Sequence, residues 1–437
     1  MAKFKLFLVI AIVIALFYGC AENPEAVPTT LPAADHFDQI TQWLSAQPLL
    51  LLEHTESTTM TYGDNIYSYK DQKQILLNTS NGDFYSTGTI HYHYYQIHYT
   101  ELHTDRTLYL TVNNRNFSGT HSGIHVPLPQ MGMFTNYSAI TEEDTAKIHF
   151  HDPSGSFLQL PQHAEIITAE GKLTEKSQSA CTLEYNIIYK ANQATFETAI
   201  TIHYSTATAQ IPAPDADAYI PLAHVLAPLA LEKSYGLLCQ STHLSATCTK
   251  EIRHTVNTLD YMRHITMSRQ KNSGTILTKT TLTDYSRRNE QIATVQEEIF
   301  QNGCYTIATD GQTKKFSLVD QTQFFNYFSQ LLSKNILSPK YITNAKTEDH
   351  CVTLSLEVNH ALAESICQEI SQTLYHNRDF LNTQSDGGME YLVNYCITID
   401  PITGLPLSCI LEFTSQHMIA SIPYPLTARY EQTIEYA

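Results

Sequence analysis

The sequence predicts a mainly β protein of the α+β class, built from two domains of antiparallel strands with helices covering one sheet face. Three observations carry this. There are 27 Tyr and 17 Phe against a single Trp, among many Thr, and such residues favour strands. Short alternating stretches rich in Ile, Tyr, Thr and His follow one another, separated by polar turns. A Pro- and Ala-rich stretch at 211–228 interrupts them near the middle of 437 residues, a length that suits two domains.

The elements follow in order. Asp35 to Ser45 reads as a short helix, with Phe37, Ile40 and Leu44 on one face and Pro48 beyond its end. Extended segments are expected at 49–62, 84–100, 107–112, 147–151, 164–172, 181–189 and 194–204. After the 211–230 linker, strands are expected at 234–247, 263–269, 275–284 and 291–300. A hairpin follows at 304–317 with Asp310-Gly311 at its tip, a pair that tolerates the positive φ of tight turns. Asp320 can cap a helix carrying Phe324, Phe328 and Leu331 on one stripe. A strand at 351–358 then leads to a second helix, capped by Asn359 and lined by Leu362, Ile366 and Ile370. Strands at 390–399, 405–414 and 426–435 close the chain. With a five-residue loop at 400–404, Ile399 faces Leu405, Tyr395 faces Cys409 and Val393 faces Leu411, so one face is apolar throughout. That register argues against a Cys396–Cys409 bridge. A weak internal repeat pairs 187–205 with 397–415, and LYLTVNNRNFS from Leu108 with CYTIATDGQTKKFS from Cys304.

The N-terminus reads as an export signal. Lys3 and Lys5 precede an apolar run from Leu6 to Tyr18, too short for a bilayer core of ~30 Å. Gly19 and Cys20 end it, and the junction resembles the bacterial lipobox, in which the cysteine becomes a lipid-bearing N-terminus. Phe17 and Tyr18 depart from the usual Leu and small residue. The alternatives are an ordinary signal peptide or a short apolar anchor. The following AENPEAVPTTLPAAD is polar and aperiodic, as a tether would be. The expected organisation is a signal at 1–19, a tether at 20–34, a first domain at 35–210, a linker at 211–230 and a second domain at 231–437.

A net charge of −17 excludes the Lys/Arg clusters that nucleic acid demands, and it leaves lipid rather than charge to hold the chain at a membrane. Nine cysteines leave eight if Cys20 is acylated. Their spacing is no disulfide framework, and no CxxC pair suggests zinc.

Long strands, the Asp310-Gly311 hairpin with Lys314, Lys315 and Phe316, a helix, a strand, a second helix and the DPITGLPL turn follow in that order from Ser234 to Glu435. This order resembles the LolA and LppX-like bacterial lipoproteins and lipid carriers. The match is looser over 47–210. The resemblance implies two tandem half-barrels, each a curved, unclosed antiparallel sheet with helices on its concave side, and a space that could hold a lipid or other apolar ligand.

Twenty histidines invite a search for chemistry. His91 with His93, and His149 with His151, alternate on strands, and Asp152 follows the second pair. Strand-borne zinc sites begin this way, but neither pair has a third ligand at a recognised spacing, and a solvated His face on a Tyr-rich sheet is the preferred reading. No nucleophile elbow, HExxH or phosphate loop occurs. The expectation is therefore a lipid-anchored extracytoplasmic lipoprotein at the cell envelope, attached through Cys20. It has no catalytic residue, cofactor or metal site, and it binds a lipid or apolar ligand and no nucleic acid. A structural lipoprotein that meets a protein or cell-wall partner through Tyr-rich faces is the alternative, and a His-based metal hydrolase is a third.

Overall fold

The computed structural model describes residues 33–317, 342–356 and 391–437. Outside it within these spans are 94, 122–125, 127, 131–132, 143–144, 159, 162, 178, 257–258, 273–274, 286–290, 302–303, 310–311, 349–350 and 420–421. Cys20, the tether up to residue 32, and the helices expected after Asp320 and Asn359 lie outside the described residues; Ala33 and Ala34, expected as the end of the tether, are helical.

The chain begins with α1 (Ala33–Ala46), whose Phe37, Ile40 and Leu44 are buried as their spacing predicts. Eleven strands follow: β1 (Leu49–Tyr62), β2 (Asn65–Asn78), β3 (Phe84–Tyr92), β4 (Gln96–Thr104), β5 (Thr107–Val112), β6 (Arg115–Thr120), β7 (Thr135–Glu142), β8 (Thr145–His151), β9 (Glu165–Ser177), β10 (Ala180–Ala191) and β11 (Ala194–Thr206). A two-residue β12 (Ile220–Pro221) pairs in parallel with β6. Then come α2 (Ala227–Gln240), β13 (His243–Val256), β14 (Leu259–Asn272), β15 (Thr275–Tyr285), β16 (Gln291–Gln301), β17 (Cys304–Thr309), β18 (Gln312–Ser317), β19 (Ile342–Glu348), β20 (Cys351–Leu356), β21 (Tyr391–Ile399), β22 (Pro406–Ile419) and β23 (Ile422–Tyr436).

These strands form two large, curved, open sheets. The first runs β12-β6-β5-β4-β3-β2-β1-β11-β10-β9-β8-β7, the second β18-β17-β16-β15-β14-β13-β23-β22-β21-β20-β19. Set β12 aside and add twelve to each label of the first sheet: the order of the second results. Each half thus starts with a helix, lays six strands outward from the centre, crosses over, and returns through five more to pair with its first strand. The 108–118 segment and its match from Cys304 occupy equivalent hairpins, β5–β6 and β17–β18. The other expected match, β10–β11 with β21–β22, is one strand out of step.

Several elements differ from expectation. Residues 84–100 turn back at 93–95 to make two strands, and β2, β6, β7 and β19 were not anticipated. The stretch expected as the end of a linker and the start of a strand, 227–240, is helical. Pro228 sits in its first turn, where no N–H partner is needed, and most of its side chains are buried on all sides. In the 391–419 hairpin the apolar face is as expected, but the register is shifted by two. Val393, Tyr395 and Ile397 oppose Phe413, Leu411 and Cys409. Pro406 has no N–H to give, and Leu407 bulges out between the pairs Ile399–Pro406 and Thr398–Ser408. Cys396 is bridged to Cys351 instead, with Cα atoms 6.8 Å apart, and Cys409 is a free, buried thiol.

Two hydrophobic clusters result. One lies between α1 and the first sheet, around Phe37, Leu50, Ile148, Phe150, Phe157 and Tyr185. The other is shared: it runs from Met60, Tyr67 and Tyr99 of the first sheet through Leu229, Leu231 and Leu237 of α2 to Val393, Ile397 and Phe413 of the second. Asn65, fully buried, fastens the junction. Its Nδ2 donates to the carbonyls of His243 (2.8 Å) and Ala437 (3.0 Å), and its Oδ1 accepts from the amides of Thr242 and His243 at 2.8 Å.

Candidate functional site

Strand alternation gives the helix-covered face of the first sheet three zones. On β1, Leu50 and Leu52 at one end and Met60 at the other are apolar and buried; between them on the same face stand His54, Glu56 and Thr58. On β2 the same division puts Ile75 and Leu77 at one end, Tyr67 at the other, and Asp71 and Lys73 between. A polar band therefore crosses the face between the α1 cluster and the shared cluster.

Glu56 and Asp71 are direct cross-strand partners. Like charges placed so repel, and the surroundings compensate. The Tyr99 hydroxyl donates to both Asp71 oxygens, at 2.8 and 3.0 Å. Gly88 makes that reach possible, because a Cβ there would lie 2.5 Å from the Tyr99 ring. The Thr58 hydroxyl donates to Glu56 at 3.2 Å and meets Thr198 at 3.1 Å. Burial, then Asp71, pushes the Glu56 carboxyl above its ordinary range, while Lys73 and Lys233 pull it back. Burial, with Lys73, pushes His54 down to about 3, and its Nδ1 has no hydrogen-bond partner.

A second buried carboxylate, Asp152, is wholly occupied. It accepts from the Ser154 hydroxyl (3.1 Å), the amides of Ser156 (3.2 Å) and Phe157 (3.1 Å) and the Tyr185 hydroxyl (3.0 Å). It fixes the turn after β8 rather than extending a ligand set with its neighbour His151.

The structure does not bring the two histidine pairs together. His91 lies on β3 and His93 just past it, while His149 and His151 lie on β8, and β2, β1, β11, β10 and β9 intervene. The His91 ring accepts from Gln96 Nε2 at 2.8 Å. Among the described residues no group of three or more His, Cys, Asp or Glu could hold a metal ion.

A pocket of about 240 Å³, which sequence reasoning missed, opens between α1 and the β9–β10 hairpin. His36, Gln39, Ile40 and Trp43 line it from the helix, Glu175 and Cys181 from the sheet. His36 Nε2 lies 3.0 Å from Glu175 Oε2. The Cys181 thiol is pushed up to about 12, by burial first and by Glu175 second, so it stays neutral. The helical spacing 36, 39, 40, 43 was readable; its facing partner, 139 residues away from His36, was not.

No protein-family model matches the chain, and no curated protein matches it. Among solved structures, kievitone hydratase from Nectria haematococca is similar over 90% of this chain and 90% of its own, at 10% identity and a TM-score of 0.14. A DUF3598-family protein of unknown function from Nostoc punctiforme is similar over 90% and 98%, at 7% and 0.13. A mutant transferrin-binding protein B from Haemophilus parasuis is similar over 90% and 76%, at 5% and 0.15. Likeness at these scores carries no argument about this chain.

Proposed function

We propose that the protein is an exported, non-catalytic lipoprotein, anchored through Cys20 at the outer side of a membrane, whose two half-barrels bind a lipid or other apolar ligand. The observation that carries the binding part is how the first sheet's apolar face is covered. Among the described residues, only α1, the turn at Phe157 and the β6–β7 connection lie over its Leu50–Leu52 end, the last through Val126, Leu128, Met133 and Phe134, while its Met60 end packs on α2 and the second sheet. A cover of one helix and one loop can shift away from a continuous sheet more readily than a second sheet could. The repeated topology supports reading both halves as LolA/LppX-like copies.

The Cys351–Cys396 bridge supports an oxidising compartment. Among the described residues no helix is long and apolar enough to cross a membrane. The buried titratable groups support a non-catalytic role: Asp71 and Asp152 are spent on hydrogen bonds, and burial holds Cys181 and His54 neutral. The alternative surface needs exposed tyrosines, whereas Tyr67, Tyr92, Tyr99, Tyr185, Tyr204 and Tyr395 are buried.

Native mass spectrometry of the full chain extracted from membranes tests both parts. The expected result is an acylated Cys20 and a co-purified apolar molecule; Cys20→Ala should move the protein to the soluble fraction. A Cys20→Ala chain that keeps its full-length mass and stays with the membrane would mean that 6–18 is itself the anchor. Protein from the native membrane that carries no ligand and takes up no fluorescent fatty acid would remove the binding part.

A further inference from the structure

The pocket beside α1 is separate from the apolar face and calls for a different occupant. We propose that it binds one neutral pyranose ring, as the end of an envelope glycan or as the headgroup of a glycolipid.

Its shape and chemistry point there together. At about 240 Å³ it is smaller than the ~300–1,000 Å³ of pockets that hold drug-sized ligands, and it suits a single six-membered ring. Trp43 supplies an aromatic side and the buried Ile40 and Cys181 an apolar floor. Gln39, His36 and Glu175 supply a rim that can both donate and accept. The His36–Glu175 bond ties helix to sheet and fixes two of those rim groups in place. A pyranose divides in the same way, into a face of C–H bonds and an equator of hydroxyls.

Other occupants fit less well. An alkyl chain would cover Gln39, His36 and Glu175 without offering them a hydrogen bond, at a cost for each group. An anion would meet the Glu175 carboxylate. A cation would find that carboxylate already shared with His36, and no second carboxylate among the lining groups.

Trp43 is the only tryptophan in the chain, so its emission reports on this pocket alone. The full-length protein is titrated in separate arms with methyl hexopyranosides, with N-acetylhexosamines, with choline, and with phospholipid vesicles with or without a glycolipid. The expected result is a saturable change in Trp43 emission with at least one pyranose. A response to free sugar identifies a glycan end as the source, and a response only to glycolipid vesicles identifies a headgroup. Gln39→Ala and Glu175→Gln should each weaken it by roughly tenfold, with the circular dichroism spectrum unchanged. Gln39 is exposed, so its replacement keeps the fold. Silence in every sugar arm, a response to choline alone, or sugar binding untouched by both variants would overturn the proposal.

Discussion

At Asp152 and His54 single side chains have consequences that can be measured. Asp152 gathers two amides and two hydroxyls around one buried carboxylate, and Asp152→Ala removes the acceptor of the Tyr185 hydroxyl and of the Phe157 amide. The loss should be roughly 3 kcal/mol in urea unfolding, with unchanged secondary structure before the transition. His54 makes a pH prediction. Its folded value of about 3 lies below the ordinary 6.5, so the native ring refuses a proton that the unfolded chain accepts. That contribution to stability is whole above about pH 6.5 and is lost as pH falls from there towards 3. His54→Gln should flatten this limb of the stability–pH curve, and an acid limb that keeps its slope would assign the loss to the carboxylates instead. The exceptional position of His54 follows first from burial and second from Lys73, its cross-strand partner in a strand that the alternation does not reveal.

At the scale of elements the informative one is α2. In the sequence its first residues continue the Pro- and Ala-rich linker, and those from Ser234 on resemble a strand. What the pattern lacked was a polar face: nearly every side chain from Ala227 to Leu238 is buried. A helix buried on nearly every side needs neighbours around it, and both sheets provide them. Leu237→Asp would bury an unpaired charge in the shared cluster, at about 3–5 kcal/mol. It should lower the unfolding midpoint of both sheets together in one transition. A second transition that stays at the wild-type midpoint would count against a common core. Limited proteolysis separates the two parts of the expected linker. Cleavage belongs at 208–218, which is exposed, and the nicked halves should still elute as one species because α2 and Asn65 hold them.

For the whole molecule, the sequence alone determined the class of fold. Alternation of apolar and polar residues requires strands with one buried face, and that is a local property, legible from periods of two. The same holds for α1 and for the hairpin over 304–317, each written within fewer than twenty residues. Tertiary structure decided what depends on distant partners. Register in the 391–419 hairpin turned on the bulge at Leu407, because alternation fixes a face and leaves slips of two residues equivalent. The Cys351–Cys396 bridge required neighbouring strands to bring together two cysteines 45 residues apart in sequence. The duplicated strand order became visible only when crossovers were known, since strands diverge in sequence while their pairing persists. The pocket of His36, Trp43 and Glu175 exists because α1 lies beside a hairpin more than a hundred residues further on. No local pattern of side chains encodes that meeting. Packing of the helix on the sheet creates it.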